Sequence, residues 1–162
     1  MKKILTTAGL FLLGLSAFCQ QEENGIIYIT HPNIDVVLQS TKDYAAGDLS
    51  TVYNYYSDTA KWWASGMEKF VPISDAVKMW QNDYTYFEDI SLKQQGYPDY
   101  LHYKKGDAKI VQSWWTWTGK SKKSGEVIKV PVVMFDEFND EGKITMEYIY
   151  GDFSKMSAEE KM

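Results

Sequence analysis

Arginine is absent from this chain: all 17 basic residues among its 162 are lysine, set against 22 acids for a net charge of -5. That balance excludes a surface built to track nucleic acid, which needs clustered positive charge. The missing guanidinium also removes the bidentate clamp for carboxylate or phosphate. Histidine is limited to two residues and cysteine to Cys19 alone, so no disulfide forms within the chain. The phosphate-cradling glycine loop, the His-Glu-x-x-His and Cys-x-x-Cys metal spacings and the Gly-x-Ser-x-Gly nucleophile elbow are all missing. Asp136-Glu137 and Asp140-Glu141 lack the alternating ligands and terminal Glu of a calcium loop. Neither a metal nor a redox cofactor is implied. The apolar run from Ala8 to Leu15 is too short to span a bilayer. What the chain has in place of these is rings, with six Trp, twelve Tyr and seven Phe making up 15% of it.

Lys2 and Lys3, the run to Leu15 and the small residues Ser16 and Ala17 before Cys19 form the pattern of a secretory signal over residues 1–19, cleaved before Gln20. A lipidated Cys19 fits less well, because Phe18 precedes it and Ser16 stands three positions before it. The expectation is an exported protein, periplasmic or secreted. Losing the leader removes the only cysteine and two lysines, leaving a more acidic domain stabilised by its core alone. The aromatic residues are therefore candidates for structural work before functional work.

Residues 20–31 read as a tail, 32–155 as one domain and 156–162 as a second tail. Ile34, Val37, Leu38, Tyr44 and Ala45 recur at helical spacing and stop at Gly47. Asp48 then caps a helix carrying Leu49, Val52, Tyr53 and Tyr56. Lys61 to Ala64 is a short strand, and Pro72 leads into a third helix, capped by Ser74 or Asp75, with Ala76, Val77, Trp80, Tyr84 and Phe87 inward. Strands follow over Ile90–Gln95, Ile110–Thr118, Val127–Phe138 and Ile144–Phe153, joined by turns at Lys120–Gly125 and Asn139–Gly142. Pro131 inside a strand implies an edge or a bulge. The fold class is α+β, with three N-terminal helices packed on one sheet.

Four stretches, Ala45-Ala46-Gly47-Asp48-Leu49, Tyr56-Ser57-Asp58, Trp114-Trp115-Thr116-Trp117-Thr118-Gly119 and Phe138-Asn139-Asp140-Glu141-Gly142-Lys143-Ile144, occur in an order that resembles the SnoaL-like branch of the nuclear transport factor 2-like superfamily. The resemblance runs from about Pro32 to Phe153. It implies a cone-shaped half-barrel in which a strongly curved antiparallel sheet wraps a long helix. It further implies a pocket at the open end and often a homodimer through the sheet. Such folds serve isomerases, dehydratases, hydrolases, cyclases and proteins without catalysis, so function rests on the pocket.

Placed on the resemblance, the ketosteroid isomerase catalytic positions fall on Gln39, Ala64 and Met134, none of which can do that chemistry. The Asp-Arg-Asp relay of limonene-epoxide hydrolases cannot form without arginine. His31 and His102, the sole candidates for dehydratase-like chemistry, read as exposed or structural. By the same anchors Trp115 and Trp117, then Val132, Met134 and Asp136, then Glu147 and Ile149 face the cavity. Trp62 and Trp80 join them.

Asp136, in an apolar strand, is a candidate proton carrier with a raised pKa; the alternative is a solvated position beside Glu137. For Glu147 the hydrophobic alternation of Ile144, Met146, Tyr148 and Tyr150 points outward, whereas the resemblance points inward. The tryptophans either wall a cavity for an apolar or aromatic molecule or fill the cone, while Trp63 and Trp114 pack outside or in a dimer seam. The leading expectation is a small-molecule-binding domain without a demonstrated reaction. Its alternatives are a cofactor-independent acid/base enzyme (lyase, isomerase or hydrolase) using Asp136, and an interaction module using the outer sheet face.

Overall fold

A computed structural model describes residues 22–161, so the leader expected over residues 1–19 lies outside the described residues. Helices α1 (Pro32–Ala45) and α2 (Leu49–Tyr53) follow one another, α3 (Ile73–Tyr86) comes after two further strands, and α4 (Ser154–Lys161) is the last described element. The strands are β1 (Gly25–Tyr28), β2 (Tyr56–Ala64), β3 (Val71–Pro72), β4 (Phe87–Gln94), β5 (Asp99–Tyr103), β6 (Lys109–Ser121), β7 (Val127–Phe138) and β8 (Ile144–Gly151). They form one sheet in the order β1-β5-β6-β7-β8-β2-β3, with β4 also on β6. No helix among the described residues is long and apolar enough to cross a membrane.

Local chemistry accounts for most boundaries. At the start of α1, His31 Nδ1 accepts the Asn33 N–H at 3.2 Å and Pro32 supplies a preset φ. Stacked on Tyr100 with centroids 3.6 Å apart, His31 is structural, and His102 is held in an exposed pair with Asp107. Gly47, at φ 79°, turns the chain out of α1. Asp48 caps α2, accepting from Thr51 N at 3.1 Å and Thr51 Oγ1 at 2.7 Å.

Several expectations need correction. Helix α2 ends at Tyr53, and Tyr56 already belongs to β2, which is longer than the expected Lys61–Ala64. Helix α3 starts at Ile73 with no side-chain cap, so neither Ser74 nor Asp75 does that work; Asp75 instead pairs with Lys78 at 2.8 Å. Phe87 is buried, as the first residue of β4. Residues 156–162 were expected as a tail, yet α4 carries two buried side chains, Met156 and Glu159, the latter accepting from Ser121 Oγ at 2.5 Å. Likewise Gly25–Tyr28, in the expected N-terminal tail, pairs with β5 as an edge strand. The pairing of β2 with β8 is parallel, within a sheet whose other ladders are antiparallel.

Strands β4 and β5 share one edge of β6, β5 against its first residues and β4 against its last, while β7 runs along the whole opposite edge. Such a long, bent pairing makes the cone. Strand β7 alternates cleanly, burying Ile128, Val130, Val132, Met134, Asp136 and Phe138. Pro131 lies one residue past the end of the β8 ladder, where β7 is locally an edge and the missing N–H costs no ladder bond to β8. Gly119 follows from packing: a Cβ there would stand 2.4 Å from the Trp117 ring. Gly119→Ala is expected to displace Trp117 and lower stability by about 1–3 kcal/mol, read as a fall in melting temperature together with a change in Trp fluorescence.

Candidate active site

Inside the cone, between α1, α3, α4 and the sheet, lies a cavity of about 410 Å³. Exposed Met79, Asn82, Gly66 and Glu160 mark its mouth, and buried Tyr56, Trp62, Trp80 and Trp117 line its depth. Trp80 organises the rings. Its indole packs edge-on against Trp62 (5.8 Å, 88°) and Tyr44 (6.3 Å, 86°) and tilts against Tyr56 at 6.0 Å. The rings thus fill much of the cone and still leave a walled space.

At the inner end, Glu147 on β8 and Asp136 on β7 are cross-strand partners, each 1% exposed. Glu147 lines the cavity and Asp136 does not. The reason Glu147 faces inward is a bulge. Ile144 stands opposite Phe138 and Met146 opposite Glu137, so Thr145 is an extra residue that reverses the parity of β8. Ile144 and Glu147, three apart, are therefore both buried inward. The outward reading drawn from alternation fails at that one residue.

The Tyr56 hydroxyl donates to Glu147 Oε2. The Trp62 indole N–H lies near the same carboxylate and favours its ionised form, yet it falls outside hydrogen-bond geometry and stays without a partner. Burial pushes the Glu147 carboxyl above its ordinary range, and the Tyr56 hydrogen bond pulls part of the way back. Asp136 is driven well above the carboxylate range by burial and then by the charge of Glu147, and its Oδ2 has no hydrogen-bond partner. The pair is therefore stable with at most one negative charge, held on Glu147 where hydroxyl and indole can meet it. Asp136 is not solvated beside Glu137.

A second acid stands near the mouth. Tyr44 Oη donates to Asp83 Oδ2 at 2.6 Å and accepts from Trp117 Nε1 at 3.1 Å, while the Tyr84 hydroxyl bonds the Tyr44 carbonyl. Burial raises the Asp83 pKa to about 6, Tyr44 opposing and Glu160 adding to the shift.

Of the residues expected at the site, Trp62, Trp80, Trp117, Met134, Glu147, Val132 and Ile149 line the cavity, as does Ala64. Trp115 does not; it is buried in the core with its indole N–H on Ser113 Oγ at 2.8 Å. Gln39 lies on the exposed side of α1, bonded to Asp43, so the anchors that assigned it to a catalytic position were out of phase there. Ser40, Thr41 and Tyr44 are the cavity residues of that helix. Sequence reasoning also missed Tyr44, Tyr56 and Asp83; the helical spacing Val37, Thr41, Tyr44 carries a signal for the first. Among the described residues no three His, Cys, Asp or Glu side chains come together as a metal set.

A strongly curved sheet packed around a long helix has the architecture of the nuclear transport factor 2-like fold, and comparison with solved structures agrees. The chain is similar to a protein from Shewanella denitrificans that is a SnoaL-like polyketide cyclase by assignment (13% identity, TM-score 0.60, covering 82% of this chain and 98% of that one). It is also similar to IdmH, a polyketide cyclase by assignment, from Streptomyces antibioticus (16%, TM-score 0.64, 82% and 100%). A third similar structure is a hypothetical protein with a ketosteroid isomerase-like fold from Catenulispora acidiphila, solved with trimethylamine (12%, TM-score 0.61, 79% and 93%). No family model and no curated protein matches. At these identities the likeness establishes the fold.

The buried pair has a measurable signature. Because the folded-state pKa of Asp136 lies above its unfolded value, its contribution to stability is intact below about pH 4 and is lost as pH rises through the folded value. Asp136→Asn, whose amide stays neutral and can donate to Glu147, is expected to stabilise the protein at pH 8 by about 1–2 kcal/mol. The gain should shrink toward pH 4 in thermal melts.

Proposed function

We propose that the cavity binds a small molecule with an apolar, ring-bearing body and that Glu147 moves a proton on it. The observation carrying this reading is a carboxylate in the cavity wall, raised in pKa by burial and backed by a second carboxyl, Asp136, whose buried Oδ2 has no hydrogen-bond partner. In the sequence Asp136 is only a candidate proton carrier, under the alternative reading; the geometry favours Glu147, with Asp136 as the neutral acid behind it. Deprotonation beside a carbonyl, elimination and ring closure all fit a base of this kind in an apolar site. The cyclase and isomerase-like neighbours support that class and name no substrate for this chain.

The base is tested with 5-nitrobenzisoxazole, a neutral ring compound whose C3–H proton passes to a carboxylate as the N–O bond breaks, giving a nitrile and a phenolate. Turnover is expected above that of acetate at equal pH and to fall on the order of 100-fold or more in Glu147→Gln. The rate should rise with pH through a midpoint above the ordinary carboxylate range. Tyr56→Phe should move that midpoint up, since the lost hydroxyl favoured the ionised form. Equal rates in wild type and Glu147→Gln would leave a binding domain without this chemistry.

We also propose the sheet-to-sheet homodimer. Trp63, Phe70, Phe135, Tyr148 and Tyr150 form one aromatic cluster on the convex face, with Tyr150 48% exposed. Sedimentation should show a dimer, and Tyr150→Lys a monomer.

A further inference from the structure

Resting on the reading of the cavity as a small-molecule site, we propose that its ligand is a cation: an amine whose ammonium group sits at the mouth between Asp83 and Glu160 and whose apolar body lies against the rings.

The charge around the cavity is one-sided. Asp83, Glu147 and Glu160 line it, and no lysine or histidine does. Asp83 and Glu160 come from different elements, α3 and α4, and are close enough that the charge of Glu160 makes Asp83 harder to ionise. Two of the cavity acids are met by hydroxyls alone, Tyr44 on Asp83 and Tyr56 on Glu147, with the Trp62 indole near the latter. Behind Glu147, the 1% exposed Asp136 keeps an oxygen without any partner. Lys122 does not line the cavity and bonds the Tyr84 carbonyl at 2.6 Å.

These acids make each ligand class behave differently. A neutral molecule entering the mouth strips water from Asp83 and Glu160 and leaves their repulsion uncompensated. An anion adds to that repulsion. An ammonium group relieves it, and the aromatic wall of the cavity attracts the same charge. A volume of about 410 Å³ is at the lower end of small-molecule pockets, enough for one ring on a short chain.

Three probes of one shape decide the matter: 4-phenylbutylamine, 4-phenylbutan-1-ol and 4-phenylbutyrate, titrated at neutral pH and low salt with Trp fluorescence as the signal. The amine is expected to bind at least about tenfold tighter than the alcohol, and the butyrate weakest. Glu160→Gln and Asp83→Asn should each narrow the amine-to-alcohol ratio. Circular dichroism checks folding; should Asp83→Asn unfold, the exposed Glu160→Gln carries the comparison. Alcohol or butyrate binding as tightly as amine overturns the proposal, as does a ratio unchanged in both variants or no binding by any probe. Failure here is separable from failure of the proton-transfer reading. The nitrobenzisoxazole substrate is uncharged and its turnover depends on Glu147, so survival of that turnover without an amine preference removes the cation alone. An amine preference without Glu147-dependent turnover removes the base alone.

Discussion

The inner end of the cavity depends on one unpaired residue in a ladder. If β8 kept strict alternation from Ile144, Met146 and Tyr148 would face the cone and Glu147 would face water, leaving the cavity apolar at its end. Thr145 is accommodated as a bulge between the pairs Ile144–Phe138 and Met146–Glu137, and every later residue of β8 changes face. The same bulge puts Tyr148 and Tyr150 on the convex side, where they join Trp63 and Phe70. One backbone irregularity thus sorts the acid inward and two tyrosines outward.

What could be read from the residues and what could not divide along the same physical line. Strand β7 was legible to the residue because an unbroken period of two runs from Val127 to Phe138. The cap at Asp48 and the turn at Gly47 were legible because they are local chemistry. Glu147 was not, since the bulge is a property of two strands and leaves no mark in one. Strand β5 went unread: its ladder with β1 and β6 gives the short run around Tyr100 its partners. Helix α4 looks like a solvated tail because its apolar content is low, and only the docking of Met156 and Glu159 shows which side is inside. The Gln39 assignment failed by phase. On a helix a shift of one residue turns a side chain by about 100°, enough to carry it from the cavity to the exposed surface.

The missing arginine acquires a structural meaning once the acids are located. Carboxylates in this chain are repeatedly met by tyrosine: Tyr56 on Glu147, Tyr44 on Asp83, Tyr55 on Asp43 and Tyr148 on Glu137. On Glu147 and Asp83 a phenol satisfies a carboxylate oxygen without cancelling its charge, so burial still holds both carboxyls above their ordinary range, Asp83 at about 6. A guanidinium in the same place would pin the carboxylate ionised far below neutral pH and end its use as a proton carrier. A cavity wall with tyrosine and without arginine thus keeps Glu147 and Asp83 titratable. The cost is a cavity whose negative charge nothing in its own wall offsets, and that residual field is the property a ligand entering the mouth meets first.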